Sequence, residues 1–478
     1  MYSKVKGTID YNQETFKIKH YLIDRFSLLV SRYDYQMIET PILEHSDIFK
    51  RSAESSDIVN KEMYEFKDKG DRDLVLRPEG TASFIRAYIE NKWYALKNQK
   101  FSYVGPMFRY EQPQKGRFRQ FYQAGVEFVG PKNPLKDLEV IKLAVDYLSS
   151  LNLKFKLVIN SIGDNESRSK YENALRKYLI PFKNELSEIG QKRLEGNVLR
   201  ILDDKVDSVK PFMKKAPKIS SYLSDESKKY FLQLSNLLSD FNISFQLNNK
   251  LVRGLDYYDE IVFEFVSTDP EVGSQSTLIG GGRYSNLIKL FGGDDTSSVG
   301  FGLGIDRILP IKQRDFQNIK PGSHEYEMLE ELGFKKIYDI YFIPSEDPER
   351  RTDLYAIYSL FASLGLPVIF EHEPVNPKKI YEKAQKSEAR FTISELDSDE
   401  NEFKMITSIG KKTESSHEYI YEDLPSTILQ SMMDHEEKSV SEEKQRSMYY
   451  DMFIGLVNNT QYNDEYEEFY EEEEEQNE

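Results

Sequence analysis

The sequence predicts a protein of mixed α and β structure, in which a large α+β body is followed by a smaller α/β domain. In the body, two β-patterned runs flank a basic loop containing Pro and Gly at 101–130, which predicts a long-looped hairpin. Residues from about 165 to 245 are mainly helical in pattern and predict a helical insertion. From Ile337 onward, strand and helix patterns alternate over about 90 residues, as in a compact α/β domain.

The chain has 478 residues, which is long enough for two or three domains with cores of their own. No run approaches the roughly 18 apolar residues that a membrane-spanning helix needs, and the first ten residues hold no apolar signal core. We therefore expect a cytoplasmic protein with no membrane partner. The absence of cysteine excludes disulfide bonds, thiolate zinc sites and cysteine nucleophiles.

The net charge of −17 is unevenly distributed along the chain. Residues 424–478 hold 16 acidic and 3 basic side chains, which leaves a balance of only −4 for the first 423 residues. The body is therefore close to neutral, and its basic loops can still attract phosphate. The acidic tail, 424–478, is predicted to be mostly disordered.

The first elements along the chain are a helix and a strand near a sheet boundary. Five residues at spacings of three and four predict an amphipathic helix: Ile18, Leu22, Phe26, Leu29 and Tyr33. A strand-like run from Gln36 to Leu43 contains Pro41, which confines the run to a sheet boundary or a subunit interface. The alternative interpretation is an ordinary core helix beside an edge strand.

A short predicted strand, Leu74–Leu76, precedes a helix that opens at PEGT (78–81) and continues through Tyr88. Glu79 in this turn has two interpretations. It favours the helix dipole, as an acidic residue in a first turn usually does, or it faces the polar surface of the hairpin together with Thr81.

The second run of the hairpin has two different faces, because side chains alternate along a strand. Four residues form an apolar face suited to a core: Tyr122, Ala124, Val126 and Phe128. The other face is mostly polar: Arg119, Phe121, Gln123, Gly125 and Glu127. The preceding strand ends in Arg109, with Glu111 beyond it. We therefore hypothesise a site for a small amine next to a phosphate.

The stretch LVRGLDYYDEIVFEF (251–265) combines a cation, two aromatic rings and a strand. Arg253 precedes a flexible glycine, and the Tyr257-Tyr258 pair precedes the alternating strand residues. The alternative for the tyrosines is half-buried packing with satisfied hydroxyls.

Glycines mark two further strands. Three in succession, at 280–282, allow a ligand or another backbone to approach closely. In VGFGLGIDRI (299–308), Gly300, Gly302 and Gly304 share one strand face, which is flat enough for a planar ring such as adenine. Arg307 begins the following helix, where it can bind phosphate or stack on a base. The alternative is close packing of a helix on this strand.

A change of composition at about 311–335 predicts a linker before the α/β domain. The predicted elements of that domain are strands at 337–343, 366–370 and 390–393 and helices at 354–364 and 377–386. Four lysines make the second helix basic, which a solvated face explains as readily as a binding surface: Lys378, Lys379, Lys383 and Lys386.

Six motifs, in order along the chain, resemble those of class II aminoacyl-tRNA synthetases, and specifically of the histidyl-tRNA synthetase family. They are KGTID near the start, RPEGT, FRYEQPQKGRFRQFYQ, RGLDYY, GGGRY and GFGLGIDR. The resemblance spans residues 1 to about 423. RGLDYY, together with a motif-2 loop that ends in Gln and Glu, is highly specific for the histidine enzymes.

The resemblance implies a catalytic domain at 1–320, built on an antiparallel sheet flanked by helices, with the helical insertion inside it. It implies an α/β anticodon-binding domain at 335–423 and a homodimer with the Pro41 segment at the interface. The tail after residue 424 has no counterpart in the family.

The resemblance also implies a reaction. Histidine and ATP give histidyl-adenylate and pyrophosphate with Mg²⁺, and the histidyl group then passes to the 3′-terminal adenosine of tRNA(His). The implied histidine site is Glu79, Gly80, Thr81, Gln123, Glu127, Tyr257 and Tyr258. The implied ATP site is Arg109, Glu111, Arg117, Gly302, Gly304 and Arg307. The metal ligands are not identified by any motif.

Within these sites the resemblance assigns separate roles. Glu79, Thr81 and Gln123 are expected to hold the α-amino group, and Glu127 is expected to accept the imidazole N–H beside the two tyrosines. The implied catalytic residues are Arg109, Arg253 and Arg307. Such preorganised cations stabilise negative charge as it builds on the α-phosphate.

Three stretches depart from the family pattern: RSAESSD at 51–57, Ser285-Asn286-Leu287 in place of Asp-Gly-Leu, and Ser276 in place of a glycine. The alternative function is a non-catalytic, histidine-binding regulatory paralogue of histidine biosynthesis. That branch typically lacks the RGLDYY arginine and the anticodon domain, whereas this chain has Arg253 and a predicted α/β domain. A synthetase for glycine or threonine does not fit RGLDYY.

Overall fold

A computed structural model of the chain describes residues 2–320 and 339–420, together with 425 and 428. The gaps within these ranges are 53–55, 57, 97–98, 113–115, 256, 270–271, 273–275, 345–346, 374, 377–378, 388, 396–401 and 410–411. The chain divides into two compact units, Met1–Ile319 and Lys320–Glu478. Most of the predicted linker and nearly all of the predicted tail lie outside the described residues.

The α-helices described in the first unit are α1 (Gln13–Arg32), α2 (Ser46–Ser52), α3 (Thr81–Glu90), α4 (Pro134–Ser150), α5 (Asn165–Leu179), α6 (Glu188–Glu195), α7 (Asp225–Asp240), α8 (Leu287–Leu290) and α9 (Ile305–Gln317). Its strands are β1 (Gln36–Ile38), β2 (Leu43–His45), β3 (Tyr64–Lys67), β4 (Asp73–Leu76), β5 (Lys100–Phe108), β6 (Gln120–Val129), β7 (Phe155–Gly163), β8 (Phe245–Leu247), β9 (Asp259–Ser267), β10 (Thr277–Tyr284) and β11 (Ser298–Gly304).

Eight of these strands form one sheet in the order β1-β5-β6-β11-β10-β9-β7-β8, and β2, β4 and β3 form a smaller one. The large sheet is antiparallel through its centre and parallel only at its two ends, where β1 pairs with β5 and β8 with β7. The predicted α+β body with an antiparallel sheet and flanking helices is therefore confirmed.

The predicted hairpin is also confirmed, because β5 and β6 pair antiparallel with Phe101 opposite Glu127. On its other side β6 pairs with β11, where Gly300 lies opposite Glu127 and Gly304 opposite Gln123. This register sets the glycine face of β11 directly beside the polar face of β6, although the two stretches are about 180 residues apart in the sequence.

The predicted strand from Gln36 to Leu43 is wrong in its extent, since two strands replace it. The first, β1, lies at the edge of the large sheet, and the second, β2, pairs with β4 in the small sheet. Pro41 lies between them, where its lack of an N–H costs neither sheet a hydrogen bond. The edge position that the proline predicted is confirmed for β1.

Two helix predictions also need correction. The helical pattern of the predicted insertion (about 165–245) includes a helix over Arg193–Leu202, which is interrupted because α6 ends before Gly196 and a 3₁₀ turn, Val198–Ile201, follows. The predicted linker begins too early, because α9 continues to Gln317. Within the added turns the buried ammonium of Lys312 donates to Leu151 O at 3.1 Å and to Asp315 at 3.0 Å, which connects α9 to the C-terminal end of α4.

The second unit contains a five-stranded sheet in the order β13-β12-β14-β15-β16. Its elements are β12 (Ile340–Ile343), α10 (Pro348–Ser363), β13 (Val368–Phe370), α11 (Ile380–Ser387), β14 (Phe391–Glu395), β15 (Glu402–Ile409) and β16 (Lys412–Ile420). The predicted α/β alternation is confirmed over the first five elements, whereas the β15–β16 hairpin was not predicted. In the basic helix, Lys383 pairs with Glu371 and Lys386 with Glu382, which fits a solvated face.

Candidate active site

A cavity of about 290 Å³ opens over the centre of the large sheet. Of the fourteen predicted site residues, twelve line it: Glu79, Thr81, Arg109, Glu111, Arg117, Gln123, Arg253, Tyr257, Tyr258, Gly302, Gly304 and Arg307. The other two, Gly80 and Glu127, are buried next to residues that line it. Residues that are far apart in the chain are therefore brought into one cavity.

Glu79 and Thr81 lie at the N-terminus of α3. The Glu79 carboxylate accepts the backbone N–H of Thr81 at 2.6 Å and of Ala82 at 2.8 Å, so it satisfies two of the N–H groups that a helix start leaves open. Burial raises the pKa of this carboxyl, while the two backbone donors and Arg109 act in the opposite direction. Both interpretations of Glu79 therefore describe part of its position, since it caps the helix and also faces the cavity.

Glu127 lies behind Thr81, only 1% exposed, with a hydroxyl donor on each side. Thr81 donates to its Oε1 at 2.8 Å, Tyr103 to the same oxygen at 3.3 Å, and Tyr284 to Oε2 at 2.6 Å. Burial raises the pKa of Glu127 to about 8, even though the three hydroxyls favour the charged form. Burial and the three hydroxyls therefore act in opposite directions on the pKa of this carboxyl.

The glycine face of β11 makes room for the polar side chains of β6. A Cβ at Gly300 would lie 2.1 Å from Glu127 Oε2, and one at Gly302 would lie 2.8 Å from Gln123 Nε2. The flat surface predicted for a planar ring therefore does not include all three glycines, because Glu127 covers Gly300. Gly302 and Gly304 remain at the cavity wall.

Aromatic rings close the end of the cavity at which Gln123 and Glu127 lie. The rings of Tyr257 and Tyr258 lie 4.7 Å apart, and Tyr257 meets the ring of Tyr284 at 5.6 Å. Tyr284 and Tyr103 were not predicted as site residues. The signal for Tyr284 was its place at the end of GGGRY, on the strand that neighbours β11. For Tyr103 it was the strand register, which places this residue opposite Gly125.

Four arginines line the other end of the cavity: Arg109, Arg117, Arg253 and Arg307. Arg109 Nε donates to Pro78 O at 2.8 Å, and its guanidinium lies 5.2 Å from the centroid of the Phe121 ring. Arg307 Nη1 donates to Thr277 O at 2.6 Å. Burial, and then the neighbouring positive charge of Arg109, lower the pKa of Arg307 to about 10, so it stays protonated at neutral pH.

The loop between β5 and β6 carries two arginines, Arg117 and Arg119. Arg117 Nε lies 3.1 Å from a carboxylate oxygen of Glu111. The guanidinium of Arg119 stacks on the Tyr110 ring at 4.1 Å, while its backbone N–H donates to Gly7 O at 2.7 Å. The KGTID motif near the start of the chain therefore lies against this loop.

A buried cluster supports the wall between β6 and α9. Asp306 accepts the Tyr11 hydroxyl and the Tyr122 backbone N–H, each at 2.6 Å. The Lys19 ammonium lies between two rings, 4.3 Å from the centroid of Tyr11 and 4.1 Å from that of Tyr122. Sequence reasoning missed this cluster, although Asp306 stands next to Arg307 in GIDR.

Among the described departures from the family pattern, Ser276 and the Ser285-Asn286-Leu287 stretch do not line this cavity. Ser285 takes part in a polar network, since its N–H and hydroxyl donate to Asp259 at 2.7 and 2.9 Å. Arg283 continues the network with two bonds to Asp137, at 3.0 and 2.9 Å. Most of the RSAESSD stretch lies outside the described residues.

Taken as chemistry, the cavity has two ends. One offers a glutamine amide, carboxyls and hydroxyls within an aromatic enclosure, which suits a small polar molecule with an amine and a hydrogen-bonding ring. The other offers four cations, which suit a polyphosphate. Among the described residues no helix is long and apolar enough to cross a membrane.

Comparisons with known proteins all lead to one protein family. The family model described as histidyl-tRNA synthetase matches residues 7–308. A histidine–tRNA ligase of Rippkaea orientalis is 49% identical over 312 residues, which are 64% of this chain and 72% of that one. A histidine–tRNA ligase of Mycoplasmopsis pulmonis is 41% identical over 409 residues, 84% of this chain and 92% of that one.

Solved structures agree with these relatives. The apo histidyl-tRNA synthetase of S. aureus matches with a TM-score of 0.69 and 33% identity, over 90% of this chain and all of that one. A protein of Bacillus halodurans, described as an ATP phosphoribosyltransferase regulatory subunit/histidyl-tRNA synthetase, matches with a TM-score of 0.57 and 21% identity, over 82% of this chain and 98% of that one. The second likeness concerns the fold alone, so it does not support the regulatory alternative, while the more similar relatives are ligases.

Proposed function

The chain belongs to the histidyl-tRNA synthetase family, and from that premise we propose how its own residues carry out the family's reaction. The reaction is the ligation of histidine to tRNA. The carboxylate of histidine attacks the α-phosphorus of ATP, the bond to the β-phosphate breaks, and pyrophosphate leaves. The terminal adenosine of tRNA(His) then accepts the histidyl group, and AMP leaves.

We assign histidine to the enclosed end of the cavity. Gln123 and Glu79 receive its α-amino group, together with Thr81, and Gly80 keeps the turn of α3 close enough for this contact. A Cβ at Gly80 would lie 2.2 Å from the Tyr103 ring, which supports a requirement for glycine there. The imidazole ring lies against Tyr257 and Tyr258 and exchanges a hydrogen bond with Glu127. An amino acid without a ring nitrogen would leave that buried carboxyl without its partner.

We assign ATP to the arginine end. Arg109, Arg117 and Arg307 bind its phosphates, and Gly302 and Gly304 leave space for the planar base. Arg253 faces the α-phosphate and stabilises the additional negative charge of the transition state. The observation that carries this proposal is that the four arginines share one cavity with the Gln123 and Glu127 end. The carboxylate of a bound histidine and the phosphates of a bound ATP would therefore meet inside it.

Mg²⁺ is proposed to enter with ATP. The described residues contain no group of three or more His, Cys, Asp or Glu side chains that would hold a metal ion. A nucleotide-bound Mg²⁺ needs only one or two protein carboxylates, because phosphates and water complete its shell. Glu111 lines the arginine end and fits this donor set. The ion would neutralise phosphate charge there.

We also propose a homodimer that works in the cytoplasm, with the Pro41 segment at the interface. Four large apolar side chains on and around this segment and the small sheet are at least 40% exposed: Met37, Ile42, Leu43 and Phe66. An exposed apolar group of this kind is typical of an interface between copies. Sedimentation of the full chain tests the proposal. The parent is expected to sediment as a dimer and Leu43→Asp as a monomer. A parent chain that is itself monomeric would contradict the proposal.

The experiment that tests the proposed function is ATP–pyrophosphate exchange with each of the twenty amino acids. Exchange is expected with histidine, and a chelator of Mg²⁺ is expected to abolish it. No exchange with any amino acid would contradict the proposal, and exchange with a different amino acid would contradict the assignment of the enclosed end.

A further inference from the structure

Glu264 on β9 also lines the cavity. It is the one acidic residue inside the otherwise apolar run Ile261–Val266 of β9. Its Oε1 forms an ion pair with Nη1 of Arg253, and its Oε2 accepts the Thr277 hydroxyl at 3.2 Å. Both carboxylate oxygens are thus engaged by side chains of the cavity wall.

The neighbouring strand β10 completes a seat for Arg253. A Cβ at Gly280 would lie 2.2 Å from Arg253 Nη2, so a larger residue there would displace the guanidinium. The carbonyl of Thr277 accepts Arg307 Nη1, while the hydroxyl of the same residue holds Glu264. Two of the four arginines are therefore connected through Glu264 and Thr277.

Charge explains why this seat needs an anion. Arg253 shares the cavity with three other arginines, and like charges at short range repel in a partly desolvated site. Asp203 of the helical insertion is a second carboxylate in the electrostatic environment of Arg253. That residue is engaged within the insertion, since it accepts Arg200 Nη1 at 3.1 Å. Glu264 is therefore the carboxylate that bonds directly to the Arg253 guanidinium.

We propose that Glu264 is a positioning residue for adenylate formation. It fixes the guanidinium of Arg253 so that the remaining N–H groups face the α-phosphate, and Thr277 fixes Glu264 in turn. This inference rests on the proposed role of Arg253. Because Glu264 acts through Arg253, its removal lowers the rate of adenylation and leaves histidine binding largely intact.

A double-mutant cycle in the full chain tests the proposal, with ATP–pyrophosphate exchange over a range of histidine concentrations as the readout. Glu264→Gln is expected to lower kcat by about 10- to 100-fold, because a misplaced catalytic group costs that much, with the KM for histidine within about 3-fold. In the Arg253→Ala background the same change is expected to cost less than about 3-fold. Glu166→Gln, which removes an exposed ion pair with Lys170 on α5, is the matched control and should leave exchange unchanged.

Three outcomes would overturn the proposal. An equal loss from Glu264→Gln in both backgrounds would show that Glu264 acts independently of Arg253. A large loss from Arg253→Ala with none from Glu264→Gln would refute the positioning role and leave the proposed function standing. No loss from Arg253→Ala would refute the role of the arginine and the inference together.

If thermal melting shows that the Glu264→Gln variant is not folded, Thr277→Val replaces it in the same cycle. Its expected loss in kcat is about 3- to 10-fold, because the seat loses one hydrogen bond and keeps its charge. That loss should disappear in the Arg253→Ala background, and its persistence there would overturn the proposal.

Discussion

The two ends of the cavity are built in opposite ways. At the histidine end, Glu127 is 1% exposed and held by three hydroxyls, and no cation among the described residues bonds to it. At the phosphate end, arginines are bonded to carbonyl oxygens or to carboxylates. Arg109 donates to Pro78 O, and Arg253 pairs with Glu264.

This difference separates selection from rate. A buried acceptor held by neutral donors discriminates strongly between ligands, because a ligand without the matching group leaves it unpaired. Fixed cations discriminate little among amino acids, but they stabilise the charge that develops in the transition state. Substitutions at the two ends should therefore change different kinetic constants.

The largest expected effect comes from Arg253→Ala. We expect the kcat of histidine-dependent exchange to fall by about 10²- to 10³-fold, because a preorganised positive group at the α-phosphate is lost. Steady-state exchange kinetics measure this loss. A fall of less than about 3-fold would mean that the charge at this end is not concentrated on Arg253.

The next effect comes from the histidine end. Glu127→Gln is expected to raise the KM for histidine by about 10²-fold, since a buried charge-assisted partner of the ring is lost. Tyr284→Phe removes one of the three hydroxyl donors and should raise it by about 10-fold. Both constants come from exchange rates over a range of histidine concentrations. If either variant changed kcat alone, the separation of the two ends would be wrong.

A pH-dependent stability should distinguish the two ends without any substrate. The folded chain keeps the Glu127 proton up to a pKa of about 8, whereas its ordinary value is 4.5. The unfolded chain thus releases this proton first, and the free energy of unfolding falls as pH rises from about 4.5 to 8. Glu127→Gln removes this dependence.

Melting temperatures between pH 5 and 8, measured without histidine, check this prediction. The melting temperature of Glu127→Gln should rise relative to the parent as pH increases, by roughly 2–4 °C for each kcal/mol of linkage. A constant difference across this window would show that Glu127 is already ionised in the folded chain.

The smallest effect is expected from removing the acidic tail. Ile428 is fully buried in the core of the second unit, so a truncation that spares this core should begin after it. Removing 430–478 is expected to leave exchange within about 2-fold, because every predicted site residue lies before residue 308 in the sequence. Histidine-dependent exchange by the shortened chain measures this, and a collapse of activity would give the tail a part in the reaction.

Much of the cavity was predictable, because period-two alternation assigns residues to strand faces without knowledge of the fold. The Gln123 and Glu127 face of β6 was predicted in this way, as were the glycines of β11. The enclosure of the Glu127 carboxyl by hydroxyl groups was not predictable. It depends on Tyr103 and Tyr284, which lie on strands whose order in the sheet cannot be derived from a single strand's pattern.

Elsewhere the local pattern was incomplete or misleading. Pro41 predicted a sheet edge. The chain also passes at Pro41 from the large sheet to the small one, and this change depends on pairing with distant strands. The β15–β16 hairpin has many charged and polar residues in its strands, so its alternation gave too weak an apolar signal. Glu264 was passed over because one acidic residue in an apolar strand has no pattern of its own.

The separation of selection from rate is tested most directly by isothermal titration of histidine into Arg253→Ala. We predict a dissociation constant within about 3-fold of the parent, although the same variant loses about 10²- to 10³-fold in the rate of exchange. A loss of histidine affinity as large as the loss of rate would contradict the account, because Arg253 would then stabilise the ground state and the transition state alike.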